Sequence, residues 1–145
     1  MKGKPSPLIS RYFCFYVMPS SITKDIWVNV ETSYQEINSR PEEEHFVFTY
    51  RITIKNNSEQ TVQLMRRQWN VFDSNLQKHR VEGEGVIGRQ PILEPGQSHE
   101  YVSGCNLETD LGKMQGRYLM RNLIDDSEFY VDVPEFIMMA KKKKN

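Results

Sequence analysis

An all-β antiparallel sandwich is the fold class this sequence predicts, on three observations. Apolar side chains alternate in twos from Asp25 onward, no stretch shows a helical period, and short apolar runs end regularly in Gly, Pro, Asn or Asp. The 145 residues, 38% of them hydrophobic and 16 of them aromatic, suffice for one core and one domain.

The clearest element is Phe46, Phe48, Tyr50, Ile52 and Ile54 alternating with Val47, Thr49, Arg51, Thr53 and Lys55, the pattern of a half-buried strand. Ile26, Val28 and Val30, alternating with Trp27, Asn29 and Glu31, form a strand before it. The polar link from Gln35 to Glu44, with Pro41 and three successive glutamates, is an exposed loop between them.

After the turn Asn56-Asn57-Ser58-Glu59, the next strand carries Val62 and Leu64 on even positions and Trp69 and Val71 on odd ones. A change of face within one strand is what a β-bulge produces, so a bulge is expected between Met65 and Gln68. Bulges re-aim side chains, which makes Arg66, Arg67 and Trp69 a candidate interaction surface; a tryptophan in mid-strand also suits the core.

Asp73-Ser74-Asn75 is turn chemistry, Leu76 to Val81 an edge-type strand, and Gly83 to Gly88 a glycine-rich loop. Strands follow near Pro91 to Leu93, Ser98 to Cys105, Met114 to Arg121 and Glu128 to Val133, divided by turns at Glu94-Pro95-Gly96-Gln97, Asp110-Leu111-Gly112 and Asp125-Asp126. Seven to eight such strands read as an immunoglobulin-like or fibronectin type III-like sandwich, with a small barrel as the alternative. Residues 1–22 are expected to form a disordered extension and residues 139–145 a lysine-rich tail around one domain at 23–138.

The formal net charge of zero hides an uneven distribution. Lys2, Lys4, Arg11 and Lys141 to Lys144 take seven of the nineteen cations to the ends, leaving twelve against nineteen acids in the body. An acidic body repels phosphate backbones, so nucleic acid is not expected as the main partner. The longest apolar run, Tyr12 to Met18, is far shorter than a membrane span, and no small-x-small cleavage site follows it. Two cysteines, Cys14 and Cys105, make no disulfide framework and fit a reducing cytoplasm.

Gly83-Glu84-Gly85-Val86-Ile87-Gly88 matches GxGxxG, but a dinucleotide fingerprint needs a buried strand before it and a helix after it. Gln77-Lys78-His79-Arg80 is no buried strand, and Pro91 and Pro95 forbid the helix. A non-helical loop can still aim amides at phosphate or pyrophosphate, which makes Gly83, Gly85, Gly88 and Arg89 candidate ligand-binding residues, provided Glu82 and Glu84 turn away. The same glycines also suit positive-φ turns and close backbone contacts. His45, His79 and His99 lack metal-ligand spacing, and Ser103 stands in no nucleophile elbow. No catalytic residue, metal site or cofactor is predicted.

Taken together, Val62-Gln63-Leu64 leading to Arg67-x-Trp69, the continuous run from Gly83 to Gly96, Tyr101-x-Ser103-Gly104, Leu107-x-Thr109 and Gly112-x-Met114-x-Gly116-x-Tyr118 resemble the ApaG family from about Thr23 to Ile137. The resemblance implies a fibronectin type III-like sandwich that stands alone in bacteria. The same module occurs in some eukaryotic F-box proteins and in a polymerase-delta-interacting protein, settings that imply protein recognition by a non-enzymatic domain. Bacterial members carry a label tying them to cobalt and magnesium efflux, and their name comes from neighbourhood with a diadenosine tetraphosphate hydrolase. A domain without a membrane span would act on ion efflux only through a partner. Gln68 departs from the family pattern, where histidine is frequent, and the two ends lie outside it. The expected partner is a protein, with a phosphate-containing small molecule as the alternative and homodimerisation through an edge strand as a further possibility.

Overall fold

The computed structural model describes residues 18–140, and in them nine strands form two antiparallel sheets. One more strand than the upper expectation arises at the N-terminal end. The first sheet has the order β1 (Ser20–Thr23), β2 (Ile26–Tyr34), β3 (Phe46–Asn56) and β7 (Ser98–Leu107). In the second, β5 (Lys78–Glu84), β4 (Val62–Asp73), β8 (Leu111–Asn122) and β9 (Glu128–Met139) lie side by side, and β6 (Ile92–Leu93) pairs with β4 next to β5.

The alternation read in β3 is observed. Phe48, Tyr50, Ile52 and Ile54 are buried, as are Ile26, Val28 and Val30 on β2, and all face the second sheet across one core. Leu64, Trp69 and Val71 of β4, Tyr118 and Met120 of β8, and Val131, Phe136 and Met138 of β9 meet them. Gly116 lies opposite Trp69, and a Cβ there would stand 2.7 Å from the indole ring, so the absent side chain makes room for it.

Both boundaries of the expected domain move outward. Ser20–Thr23 is a strand because Lys24 and Asp25 both adopt positive φ (49° and 65°), the backbone a tight hairpin turn requires, and so return the chain onto β2. At the other end β9 runs to Met139, and Ala140 is buried. The rest of the expected extension and tail, including Cys14 and the lysine run, lies outside the described residues. Pro134 does not end β9: the register with β8 shifts between Met114 and Gly116, and the proline sits at that irregularity, where a ladder tolerates a missing N–H. The loop between β2 and β3 contains one short 3-10 turn, Pro41–Glu43.

The two sheets are joined unequally. On one flank Ser21 Oγ donates to the carbonyl of Asp132 at 2.7 Å, and the Asp132 amide donates to Thr23 Oγ1 at 3.2 Å, tying β1 to β9. On the other flank the edge strands β5 and β7 pair with β4 and β3 respectively and not with each other. That flank is closed only at its ends, where the chain crosses from β6 to β7, with Asn56 Nδ2 of β3 donating to the Leu93 carbonyl at 2.9 Å, and from β7 to β8. At the second crossing the buried carboxylate of Asp73 accepts the Glu108 amide at 2.6 Å and the Thr109 hydroxyl.

Candidate functional site

The expected bulge is present, with a register shift between Leu64 and Arg66 that leaves Met65 outside the ladder with β8. Two consequences follow from that one residue. Leu64, Arg67, Trp69 and Val71 all face the other sheet, so the arginine is turned inward while Arg66 stays exposed on the outer face. The freed Met65 carbonyl also accepts the Gly85 amide at 2.9 Å and the Gln90 side-chain amide at 3.0 Å, which anchors the glycine segment.

Gly83 and Glu84 belong to β5 rather than to a loop, so the irregular part is shorter than the sequence suggested. Val86 and Arg89 exchange both backbone hydrogen bonds, at 2.8 and 3.0 Å, around Ile87 and Gly88, both of positive φ. This is a tight hairpin turn of the primed kind. The amides of Val86 and Arg89 are thereby spent inside the loop and that of Gly85 on Met65 of β4, so the three are not presented together to an anion. Gly85 itself has φ +60°, and a Cβ on it would collide with the carbonyl oxygen of Arg89. Glu82 and Glu84 lie on the exposed outer face of β5, with Glu82 paired to Arg80 at 2.6 Å. Arg89 is exposed.

Arg67 ties loop to sheet. Its Nη1 donates to the carbonyls of Glu84 at 3.0 Å and Gly85 at 2.9 Å, and its guanidinium lies flat against Gly83, where a Cβ would stand 2.9 Å from Nη1. Trp69 is only 3% exposed and packs edge-on against Tyr50, Tyr118 and Phe136. It is therefore core and offers no exposed contact surface, a correction to the three-residue patch, because the bulge turns its indole inward.

Between β5 and β7 the sheets separate around a cleft of about 540 Å³. Tyr50, Trp69, Val71 and Met114 form its floor; Arg67, His79 and Val81 line the β5 side and Ser103, Cys105 and Asn106 the β7 side. No Asp or Glu lines it. The Cys105 thiol is pushed up to about 11, by burial first and then by the Asp73 carboxylate, so it is protonated near neutrality and a poor nucleophile. The Tyr50 phenol is raised by burial, against a hydrogen bond to Ser103 and the charge of Arg67. His99, stacked on Tyr101, is lowered by burial and by the charge of Arg89. Sequence reasoning missed the cleft, since its walls come from strands distant along the chain.

The ApaG domain family matches residues 36–122. The protein ApaG of Brucella abortus (strain S19) is 47% identical over 127 residues, 88% of this chain and 97% of that one. Protein ApaG of Brucella anthropi is 50% identical over 119 residues, 82% of this chain and 91% of that one. A crystal structure of the ApaA protein from Bordetella pertussis superposes with a TM-score of 0.78 at 33% identity, covering 88% of this chain and 99% of the other. Family match, close relatives and shared fold agree: the chain belongs to the ApaG family.

Proposed function

We propose that this domain is a non-catalytic binding module that recognises a protein partner along the open β5/β7 flank. The observation that carries the reading is the pair of edge strands lying unpaired beside each other, Lys78–Glu84 and Ser98–Leu107. Unpaired strand edges are templates for an added strand, whose backbone supplies affinity and whose alternate side chains supply specificity. Val81, at the cleft on β5, and Val102, on the outer face of β7, are both exposed and give such a strand apolar footing. A second copy of the chain is the other strand donor to test.

Anion capture by the glycine loop has less support, because three of its amides already donate to backbone carbonyls. Catalysis has less still: the one thiol of the cleft is protonated near neutrality, and no histidine is hydrogen-bonded to Ser103 among the described residues. No helix of the described residues is long and apolar enough to cross a membrane. Any part in cobalt or magnesium homeostasis would then run through the partner.

The test places a photo-crosslinking residue at Val81, at Val102 and, on the far flank, at Ile137, in the native host. Discrete adducts from the first two and none from Ile137 support the reading, and adduct mass separates a foreign partner from a second copy. Absence of adducts at Val81 and Val102, or equal labelling from all three positions, overturns it.

A further inference from the structure

We infer that the β5/β7 cleft is a binding site for an apolar group bearing a carboxylate, with Arg67 as its counter-charge. The volume, about 540 Å³, lies in the range of small-molecule pockets, and its aromatic and aliphatic floor with a few polar groups at the walls is their usual composition.

Arg67 gives the site its sign. A half-buried arginine normally faces a carboxylate, because a cation withdrawn from water is otherwise poorly compensated. Arg67 has no carboxylate partner among the described residues, and no acid lines the cleft. Its hydrogen bonds go from Nη1 to two backbone carbonyls, which hold the guanidinium in place without neutralising it. Those bonds leave Nε and Nη2 for an incoming oxyanion, and a guanidinium fixed beforehand loses little side-chain freedom when it binds one. Ser103, on the opposite wall, adds a hydroxyl.

An apolar floor rules the choice of ligand body. With Tyr50, Trp69, Val71 and Met114 beneath it, the cleft favours an aromatic or branched aliphatic group over a bare inorganic anion. A free aromatic acid and the C-terminal residue of a polypeptide share this chemistry, and the two sources are separable by experiment. This site rests on side chains inside the cleft rather than on strand pairing at its rim, so it stands or falls apart from the crosslinking result.

The experiment is an amide-resolved NMR titration of the full chain with 4-phenylbutyrate and its neutral amide, and with acetyl-Ala-Ala-Phe as free acid and as amide. The expected result is saturable shifts confined to residues around Val71, Val81, Ser103 and Met114, with each acid binding at least about tenfold more tightly than its amide, as a charge-assisted hydrogen bond provides. Arg67→Met should equalise acid and amide. Val81→Trp, which leaves Arg67 and the loop intact and fills the cleft from an exposed position, should abolish binding while the remaining spectrum is preserved. A tighter peptide acid assigns a polypeptide terminus, and a tighter phenylbutyrate a free acid. No saturable shift, equal affinity of acid and amide, or undiminished binding to Val81→Trp overturns the assignment.

Discussion

The phenol oxygens of Tyr101 and Tyr118 lie 2.6 Å apart in the core, one on β7 and the other on β8, so a single hydrogen bond joins the two sheets where no water reaches them. Burial raises both phenols well above their usual range, and each partner's hydroxyl satisfies the other. Removing either hydroxyl leaves the other unsatisfied, at about 1–3 kcal/mol, whereas removing both exchanges the bond for apolar contact. The double variant Tyr101→Phe/Tyr118→Phe is therefore expected to cost less than the sum of the single ones in urea unfolding. Additivity would mean the two hydroxyls are not coupled.

Asn56 is fully buried and makes four hydrogen bonds. Its Nδ2 donates to the carbonyls of Gln60 and Leu93, and its Oδ1 accepts the amide and hydroxyl of Ser58. It fixes the β3–β4 turn against β6. Asn56→Ala removes a donor from the buried Leu93 carbonyl and the acceptor of the Ser58 amide, and a loss of about 2–4 kcal/mol is expected in equilibrium unfolding. A loss below about 1 kcal/mol would show that water replaces those bonds.

Gly85 and Gly88 both have positive φ, but only Gly85 has a neighbour in the way. Gly88→Ala is expected to cost about 1–2 kcal/mol, the left-handed penalty alone. Gly85→Val meets the Arg89 carbonyl as well and should lower Tm by distinctly more. Equal shifts for the two variants would contradict the close approach of Arg89 to Gly85.

His99 has a depressed folded value, from burial first and from Arg89 second. The unfolded chain therefore takes up this proton first as pH falls, so stability drops below an ordinary histidine value of about 6.5. His99→Phe should flatten Tm between pH 7.5 and 5.5 relative to the parent, and Arg89→Gln should flatten it partly. A Tm profile unchanged by either substitution would remove His99 as the source.

Much of this fold is legible in the sequence because one face of each strand is buried. The period of two in Phe46 to Lys55 needed no tertiary information, and the slip of phase between Leu64 and Trp69 located the bulge before any coordinates. The phase leaves the bulge anywhere from Met65 to Gln68, and only its observed place between Leu64 and Arg66 turns Arg67 inward. Strand β1 was hidden because Ile22 is 60% exposed and its turn, Lys24-Asp25, lacks the usual glycine or asparagine. The second half of β9 was hidden by Pro134, which is harmless only because the ladder is already irregular there. The glycine segment was read as a loop because its anchor is a carbonyl, Met65, that only the bulge sets free. A cleft walled by β5 and β7 depends on how two sheets splay, and no local pattern records that.

The unequal joining of the sheets also sets the order in which the domain comes apart. With β1 and β9 stitched together at Ser21, Thr23 and Asp132, that flank acts as the spine of a book and β5 and β7 as its fore-edge. Backbone amides should exchange with solvent fastest along β5, slower in β7 and slowest in β3 and β8, since local opening begins where buried contacts are fewest. The flank that bears the cleft is thus the first expected to open, and the Trp69 cluster at the centre the last.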